Sequence, residues 1–393
     1  MTNHDRDSLI IVGNPDSIYI KRYVEEVLIP EGKYKILIVD IDKSKNQLYA
    51  SYYNRHEIDV ITPPKKLSVR GIGVVRTWFY IQSLSLYIRK KYDPQNIHGH
   101  FASPLCLCLL SALKNRHNTV IISYWGSDIL RALPQTLLFS KLWLGKIDKI
   151  TFDAIQMKKA FEGFFSSKYE KRISILRFGV NGFDSLKDME FESSLYKKIY
   201  GIDDDKIVIT IGYNGRREQQ HEKVIMAIDT LSVEEQRKMF VLVPMTYGVR
   251  DDGYIQEVEN SLRSLKISGY MIFKDFMDDS KVAKLRCVTD IFIHAQTTDA
   301  FSSSVQEFLY AKKIVLNPTW IPYDEHEEKG LFYFKYDSFE TLHKEIRRCV
   351  CYLESGELNS KLENNHKILN DGTSWEAVAP EWRKLYERKP DNC

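Results

Sequence analysis

The sequence predicts an α/β protein built from two doubly wound parallel sheets. Short apolar runs alternate with segments of helical periodicity along the whole chain, as expected for buried parallel strands and the helices that cover them. Several runs end in loops rich in Gly, Asn, Asp and hydroxyl side chains. The chain has 393 residues, of which 44% are hydrophobic, which is enough for two or three domains with ordinary cores.

The chain opens with a strand, a turn and a helix. Residues 9–12 are apolar, a turn with Gly13, Asn14 and Ser17 follows, and a helix begins near Ile18. This order is typical of the start of a doubly wound domain, in which ligands bind at the carboxyl ends of the strands. A lone glycine at the turn is not a dinucleotide fingerprint.

Residues 65–92 are basic at both ends and rich in aromatic and aliphatic side chains between them. One interpretation is a core-facing helix with solvated flanks. The other is a helix that lies on a membrane surface and reaches a lipid-linked acceptor. The pattern alone leaves both open.

Polar residues follow two further apolar runs in the amino-terminal half. His98 and His100 end one run, and Trp125 and Asp128 follow the next. We expect all four at the ligand edge of the first sheet. Asp128 could instead cap the helix that follows it, and either histidine could be a hydrogen-bonded core residue.

The second domain is predicted to begin with a buried strand at residues 207–212. A turn with Gly215, Arg216 and Arg217 follows, and then a helix. A glycine turn, cations and a helix in this order can cradle a phosphate. The alternative is a surface loop with solvated charges.

The segment from residue 290 to 323 reads as strand, loop, helix and strand. Its loop contains Asp299 and a run of hydroxyl residues, and Glu307 lies one turn into the helix. Free N–H groups at a helix start can bind a diphosphate, and the two carboxylates can accept hydrogen bonds from sugar hydroxyls. The alternative is structural, because Ser304 and Glu307 have the spacing of a capping box and Asp299 could be an ordinary loop acid.

This segment resembles the donor site of retaining GT-B glycosyltransferases of family 4, in particular bacterial surface-polysaccharide sugar transferases. Those enzymes carry two glutamates separated by seven residues, where this chain has Asp299 and Glu307. They have histidine where this chain has Trp125, and a phosphate-binding lysine near Gln220. The resemblance implies a GT-B fold, with two Rossmann-like domains facing across a cleft. We expect an acceptor domain at residues 1–187, a nucleotide-sugar domain at 188–370, and a helix at 371–393 that crosses back to the first domain.

The resemblance also implies residue roles. The reacting sugar is expected near His100, Trp125, Asp128 and Asp299. The donor diphosphate and sugar are expected at Gly215, Arg216, Arg217, Phe301, Ser302, Ser303 and Ser304. Glu307 is expected to hold the ribose, Phe276 and Met277 the base, and Gly13, Asn14 and Ser17 the acceptor. Asp203–Asp205 precede a strand rather than forming a metal-binding motif, so we expect no metal and no cofactor beyond the NDP-sugar co-substrate.

Composition and charge narrow the class of partner. Residues 1–187 contain 28 Lys and Arg against 17 Asp and Glu, and the remainder contains 28 against 36. A basic first half suits an anionic membrane surface or an anionic saccharide acceptor, such as one linked to a polyprenyl lipid. The basic residues belong to no recognised nucleic-acid module, so nucleic-acid binding is not expected.

Three further features of the sequence indicate where the protein is located. The amino terminus lacks a signal-peptide pattern, and the longest apolar stretch, residues 105–113, is too short to span a bilayer. The six cysteines lack the spacing of a zinc site. We expect a reduced cytoplasmic protein, located at the inner face of the cytoplasmic membrane if residues 65–92 bind lipid. Alternatives to a transferase are an NDP-sugar epimerase of the same fold and a non-catalytic nucleotide- or carbohydrate-binding scaffold.

Overall fold

The computed structural model describes residues 7–44, 47–64, 66, 73–248 and 251–387. It confirms the α/β class, because a parallel sheet of seven strands and a parallel sheet of six strands alternate with helices. The chain forms two compact units. The first comprises Met1–Gly179 and Trp375–Cys393, and the second comprises Val180–Ser374.

The first unit contains the seven-stranded sheet, in the order β3-β2-β1-β4-β5-β6-β7. The central strands are apolar and buried on both faces, as the sequence predicts for a parallel sheet. The strands are β1 (Asp7–Val12), β2 (Tyr34–Val39), β3 (Asp59–Ile61), β4 (Asn96–His100), β5 (Thr119–Tyr124), β6 (Lys149–Phe152) and β7 (Ile173–Ile175).

Within the described residues 7–179, helices connect the successive strands of this unit up to β7. Two of them begin with proline in the first turn, a position where the missing N–H costs nothing. The helices are α1 (Ile18–Tyr23), which continues as a π-helical segment (Val24–Leu28), α2 (Ala50–Arg55), α3 (Gly73–Tyr92), α4 (Pro104–Leu113), α5 (Ser127–Leu130), α6 (Pro134–Leu144) and α7 (Ile155–Phe165).

Helix α3 carries most of the segment for which two interpretations were open. Residue 65 and residues 67–72 lie outside the described part of the chain. Ile81, Leu84 and Ile88 are buried, so one face of the helix packs into the unit as the core-facing interpretation expects. Trp78 and Phe79 are exposed by 53% and 60%. The helix is therefore apolar on its outer face as well.

The second unit contains the six-stranded sheet, in the order β10-β9-β8-β11-β12-β13. Its strands are β8 (Ile207–Ile211), β9 (Met239–Pro244), β10 (Gly269–Phe273), β11 (Ile291–Ile293), β12 (Ile314–Pro318) and β13 (Phe334–Tyr336). Its helices are α8 (Phe183–Leu186), α9 (Ser194–Lys197), α10 (His221–Asp229), α11 (Val233–Arg237), α12 (Asp252–Ser264), α13 (Asp279–Val288), α14 (Ser303–Tyr310), α15 (Asp324–Glu327), α16 (Phe339–Ser355) and α17 (Asn359–Thr373).

The boundary between the units lies earlier than the predicted position after residue 187. Val180, Phe183 and Leu186 are buried in one of the apolar clusters of the second unit. The Val180 N–H also donates to the Thr373 carbonyl at 2.9 Å. The short helix α8 therefore belongs to the second unit because its apolar side chains pack there.

The carboxyl-terminal segment returns to the first unit as helix α18 (Trp375–Lys384). Trp382 is fully buried, and its indole N–H donates to the Arg177 carbonyl at 2.6 Å. The Trp375 ring lies directly over Gly179, where even a Cβ atom would have no room. This segment begins at Trp375, slightly later than the predicted residue 371.

Candidate functional site

Each sheet has one point at which the strand order reverses, between β1 and β4 in the first unit and between β8 and β11 in the second. Ligands of doubly wound sheets bind in the crevice outside the carboxyl ends of the strands at this point. Most of the predicted site residues follow the strands that meet at these two reversals.

In the second unit, the loop after β8 and the loop after β11 lie side by side. The Thr297 N–H donates to the Glu218 carbonyl at 3.1 Å. The Gln220 side-chain amide donates to the Ala295 carbonyl at 2.7 Å. The glycine turn and the start of α14 are thus at the same sheet edge, and the loops that carry them are joined by polar contacts.

The first of these loops depends on Gly212. This residue has φ +64, and a Cβ atom there would lie 2.7 Å from Nε2 of His221. The Tyr213 N–H donates to the buried Gln219 side chain at 3.2 Å. Only glycine combines that backbone conformation with so close an approach.

The two arginines of this loop have different surroundings. Arg217 is bound by Glu257, with Nη1 to Oε2 at 2.7 Å, and by Asp251, with Nε to Oδ2 at 3.2 Å. Its guanidinium also lies 4.4 Å from the centre of the Tyr254 ring. Arg216 is exposed, and no ion pair joins it to a carboxylate of the described residues. Arg216 is therefore the better placed of the two to meet a diphosphate.

Asp299 organises the start of α14. Its Oδ2 accepts hydrogen bonds from the Ser302 N–H at 2.9 Å and from the Tyr323 hydroxyl at 2.6 Å. The Nε2 atom of His294 lies 3.9 Å from the same oxygen. Asp299 thus holds the loop whether or not it also meets a sugar.

Phe301 adopts a conformation that is rare for its residue type. Its φ is +69, in the left-handed region. Its ring is buried between Tyr323, with ring centres 4.7 Å apart, and His326, at 3.8 Å. This packing fixes the strained backbone immediately before Ser302, Ser303 and Ser304. Strain of this kind is concentrated at functional sites.

Glu307 is buried and paired with Arg286, a residue that no local sequence pattern indicates. Nε of Arg286 lies 3.0 Å from Oε2 of Glu307, and Nη2 donates to the Ser304 hydroxyl at 3.2 Å. Burial raises the pKa of Glu307, and Arg286 acts in the opposite direction. The capping-box interpretation is wrong, because Ser302 is the N-cap of α14 and Ser304 lies in its first turn.

Gly182 closes the other side of this carboxylate. A Cβ atom at Gly182 would lie 2.6 Å from Cδ of Glu307. The carboxylate therefore lies between the Arg286 guanidinium and the Gly182 backbone. If Glu307 accepts a hydrogen bond from a ligand hydroxyl, its carboxylate must bind that hydroxyl and Arg286 at the same time.

The two residues predicted to meet the base differ in exposure. Phe276 is 81% exposed and, with Gly215, Tyr247 and Gly248, lines a cavity of about 230 Å³. Met277 packs against an apolar cluster of the second unit. Phe276 is thus available to a ligand at this edge, and Met277 mainly supports the loop.

In the first unit, His100 lies at the end of β4 and is surrounded by aromatic side chains. It is 2% exposed, and its ring centre lies 4.6 Å from that of Tyr23 and 5.9 Å from those of Trp125 and Phe178. Within the described part of the chain, neither ring nitrogen has a hydrogen-bond partner. Burial lowers the pKa of His100 to about 3, so the ring is neutral at physiological pH.

Asp128 joins the loops after β4 and β5. Its Oδ2 accepts the Ala102 N–H at 2.7 Å, and its Oδ1 accepts the Trp125 N–H at 2.9 Å. Gly126 is the N-cap of α5, so the cap interpretation of Asp128 is wrong. Burial raises the pKa of Asp128 to about 6, although the backbone hydrogen bonds act against it. The carboxylate fixes Trp125 beside His100.

The turn after β1 lies close to His100. A Cβ atom at Gly13 would lie 3.6 Å from Cβ of His100. Oδ1 of Asn14 accepts the Asp16 N–H at 2.8 Å and the Ser44 hydroxyl at 2.5 Å, and the Ser17 N–H donates to the Asn14 carbonyl at 3.0 Å. Asn14 and Ser17 thus shape the turn, and only Gly13 of the three is shown to approach His100.

His98 has a structural role. Its Nδ1 is 2.6 Å from the Tyr386 hydroxyl, and its Nε2 is 2.6 Å from the Ser123 hydroxyl. The Tyr386 hydroxyl is in turn 2.7 Å from that of Tyr23. The structural alternative for His98 is the one observed.

Comparisons with known proteins bear on both units. Residues 8–155 match a family model described as glycosyl transferase 4-like. A glycosyltransferase from Rickettsia africae ESF-5 aligns over 97% of this chain and 98% of its own, with a TM-score of 0.77 and 16% identity. HepE from Anabaena, solved with UDP and glucose, aligns over 97% and 99%, with a TM-score of 0.73 and 11% identity. WaaG, a glycosyltransferase involved in lipopolysaccharide biosynthesis, aligns over 97% and 100%, with a TM-score of 0.67 and 13% identity.

The chain has the GT-B fold. The resemblance to GT-B glycosyltransferases is therefore confirmed for the fold, and residues 8–155 are similar to the glycosyl transferase 4-like family. A search of curated proteins finds no match. The residue roles drawn from the resemblance stay predictions.

The described residues of this GT-B chain contain no group of three or more His, Cys, Asp or Glu side chains that could hold a metal ion. None of their helices is long and apolar enough to cross a membrane.

The candidate site also includes residues that were not predicted from the sequence. Arg286 lies 21 positions before its partner Glu307 and on a different helix, so no local pattern connects them. Tyr323 bonds to Asp299 across 24 positions. Gly182 carried a signal, since Asn-Gly marks a turn, but that signal did not indicate a close approach to Glu307.

Proposed function

We propose that this protein is a retaining glycosyltransferase that moves a sugar from an NDP-sugar to a saccharide or lipid-linked saccharide acceptor. The proposal includes a hexosyl donor, no metal requirement and a role in bacterial polysaccharide, O-antigen or capsule biosynthesis. It also places the protein in the cytoplasm, peripheral to the inner face of the membrane.

The observation that carries the proposal is the convergence at the strand-order reversal of the second unit. The loop with Gly215 and Arg216 lies beside the loop that leads into α14, with Thr297 bonded to the Glu218 carbonyl. Arg216 and the first N–H groups of α14 thus belong to neighbouring loops at one sheet edge, and a cation together with such N–H groups can bind a diphosphate.

These groups suit the chemistry of glycosyl transfer. The bond between the anomeric carbon and the diphosphate oxygen breaks, the electron pair leaves with the diphosphate, and the anomeric carbon bonds to the acceptor oxygen. The acceptor proton passes to the departing diphosphate. Arg216 and the N–H groups of Ser303 and Ser304 stabilise the charge that develops on the leaving group, since they are oriented before the reaction.

The edge of the first unit suits a sugar. Trp125 offers an aromatic face, and neutral His100 has two ring nitrogens without a partner in the described residues. Buried polar groups are normally hydrogen-bonded, so an orphaned ring at a ligand edge favours a bound hydroxyl. Asp128 holds the loop that carries Trp125.

The solved structures suggest which donor to try first. HepE was solved with UDP, glucose and UDP-glucose, and WaaG acts in lipopolysaccharide biosynthesis. We therefore propose a UDP-hexose as the first donor candidate and a surface-polysaccharide precursor as the acceptor class.

The test is NDP release from a panel of UDP-, GDP-, dTDP- and ADP-sugars, with and without glycan acceptors. We expect release from one donor that an acceptor accelerates, and NMR of the product should show the anomeric configuration of the donor. NDP release that no acceptor accelerates would contradict transfer to an acceptor. A product with the inverted anomeric configuration would contradict the retaining mechanism.

Two observations favour a second candidate, a non-catalytic nucleotide-sugar-binding scaffold. Glu307 is already paired with Arg286, and Gln219 and Gln220 occupy the region where the resemblance expects a lysine. A scaffold would bind the donor in calorimetry without releasing NDP under any acceptor condition.

A further inference from the structure

A buried histidine of the second unit has one ring nitrogen without a partner. His294 follows β11, at the sheet edge where the strand order reverses, and it is fully buried. Its Nδ1 lies 2.8 Å from Oδ1 of Asn317, whereas its Nε2 has no hydrogen-bond partner among the described residues. Buried polar atoms are normally hydrogen-bonded, so an unpaired nitrogen at this edge points to a ligand group.

The hydrogen bonds of Asn317 determine which nitrogen of His294 carries the proton. The Asn317 amide nitrogen donates to the Ile321 carbonyl at 2.7 Å and to the Pro318 carbonyl at 3.2 Å. The Asn317 oxygen therefore faces His294 and can only accept, so Nδ1 of His294 is the donor. Burial lowers the pKa of His294, although Asp299 and Asn317 act in the opposite direction. The ring is neutral at physiological pH, and Nε2 carries a lone pair.

This lone pair lies beside a carboxylate. Oδ2 of Asp299 is 3.9 Å from Nε2 of His294, and neither atom can donate a hydrogen bond to the other. The same oxygen already accepts the Tyr323 hydroxyl and the Ser302 N–H. A hydroxyl oxygen about 2.8 Å from both atoms is compatible with their separation, and its proton can be shared between them. The pair therefore suits a ligand that donates an O–H group.

The surroundings of His294 hold the ring in one orientation. The Tyr213 ring lies 5.9 Å from it at an interplanar angle of 27°, and the Phe292 ring lies 6.1 Å from it at 24°. The Tyr336 hydroxyl donates to the His294 carbonyl at 2.8 Å. Of the pair, only Asp299 reaches the surface, with 9% of its side chain exposed. A ligand would thus approach from the side of Asp299 and meet an acceptor that is already oriented.

From this geometry we propose that His294 is a specificity-determining residue, whose Nε2 accepts a hydrogen bond from one hydroxyl of the donor sugar. This inference rests on the proposed transferase function and specifies its donor class. Together with Asp299, His294 selects sugars that carry a free hydroxyl at that position and rejects the corresponding deoxy sugars. A buried site built to bind a hydroxyl discriminates strongly against a substrate that lacks it, because the acceptor is then left unpaired.

The first test is nitrogen NMR of the whole protein with ¹⁵N-labelled histidine. The probes are UDP-glucose, UDP-galactose, GDP-mannose and dTDP-glucose, each compared with its own nucleoside diphosphate. We expect the Nε2 signal of His294 to shift with one nucleotide-sugar and not with the matching diphosphate. His221 is the internal control, because it is also fully buried, has Nδ1 3.0 Å from the Tyr254 hydroxyl, and has no partner for Nε2 among the described residues. Its signal should respond alike to the sugar and diphosphate forms.

Two outcomes of the NMR experiment overturn the proposal. A His294 ring that carries protons on both nitrogens at neutral pH, without ligand, would leave no acceptor for a hydroxyl. A His294 signal that none of the four nucleotide-sugars shifts would show that no sugar hydroxyl reaches Nε2.

The second test combines a variant with altered donors. The 2-, 3-, 4- and 6-deoxy forms of the nucleotide-sugar that shifts His294 are measured by calorimetry. In the wild type, one deoxy form should bind about 10- to 100-fold more weakly than the parent. In His294→Phe the same comparison should give less than about threefold, and in His221→Phe the wild-type ratio should persist. An undiminished ratio in His294→Phe would contradict the proposal, and the NMR of the wild type decides the case if this variant does not fold.

Neither readout requires turnover, so failure of this inference differs from failure of the proposed function. If a donor is consumed with an acceptor but the His294 signal is unchanged, the transferase stands and the role of His294 falls. If the His294 signal shifts but no sugar is transferred, His294 recognises a sugar in a binding protein that is not a transferase.

Discussion

Arg286 Nε lies 3.0 Å from Glu307 Oε2, in a buried ion pair that joins α13 to the first turns of α14. The carboxylate that resemblance assigns to the donor ribose is thus held in place before any ligand arrives. Gly182 closes the opposite side. The predicted donor site of the second unit can therefore be tested by changing residues that are not expected to contact the donor phosphates.

Gly182→Ala tests whether Glu307 serves the donor. The backbone at Gly182 has φ −67, which alanine adopts easily, but its Cβ would lie 2.6 Å from Cδ of Glu307. We expect donor affinity to fall about tenfold, or about 1.4 kcal/mol, by calorimetry. Gly163→Ala is the control, since nothing lies within 4 Å of its Cβ position, and it should leave affinity unchanged. Wild-type affinity in Gly182→Ala would remove Glu307 from the donor site.

Arg286→Gln should destabilise the protein strongly. Removing one member of a buried ion pair leaves an uncompensated charge, which costs about 3–5 kcal/mol. The exposed pair of Arg347 and Glu235, at 2.6 Å, is the comparison. Arg347→Gln should cost much less than Arg286→Gln, because solvent screens an exposed ion pair. Urea denaturation measures both, and similar costs would show that the Arg286 pair is effectively solvated.

Arg216 and Arg217 are adjacent in sequence but should behave differently. Arg217 is bound by Glu257 and Asp251, whereas Arg216 has no carboxylate partner among the described residues. Arg216→Ala should raise the donor KM and lower kcat, because a leaving-group contact strengthens in the transition state. Arg217→Ala should change both by less than about threefold. Equal effects on the steady-state kinetics would remove the distinction between the two arginines.

Asp128 should make stability depend on pH between its two pKa values. Burial raises the pKa of Asp128 from 3.8 to about 6, so in this window the folded protein binds more protons than the unfolded chain. The contribution of Asp128 to stability therefore falls as pH rises from about 4 to 6 and is constant above.

Asp128→Asn isolates this effect. The amide oxygen can serve only one of the two N–H donors, at Ala102 and Trp125, so we expect a loss of about 1–3 kcal/mol. The stability difference between wild type and variant should shrink from pH 4 to 6 in urea denaturation. A difference that is the same at every pH would mean that Asp128 titrates as a free carboxyl.

The sequence was informative where the signal is local. Apolar runs located the strands, and the rule that ligands bind at strand ends placed Gly215 and Asp299 at one edge, where the two loops are now seen to meet. The positions of Gly13 and His100 at the other sheet follow from the same rule.

The sequence did not indicate contacts between residues that are far apart in the chain. Asp128 has the pattern of a helix cap, but its hydrogen bond to the Ala102 N–H, across 26 positions, makes it a link between two loops. The domain boundary moved because Phe183 and Leu186, in a charged stretch, pack into the second unit. Helix α3 buries one apolar face and exposes apolar side chains on another, and a single helical period cannot show that two faces are apolar.

The most direct test of the central claim is a crystal structure of the protein with the UDP-sugar that it consumes or binds most tightly. We expect the diphosphate to lie between the loop at Gly215 and the start of α14, within hydrogen-bond distance of Arg216 and of the N–H groups of Ser303 and Ser304. A diphosphate bound elsewhere, with this crevice unoccupied, would contradict the claim.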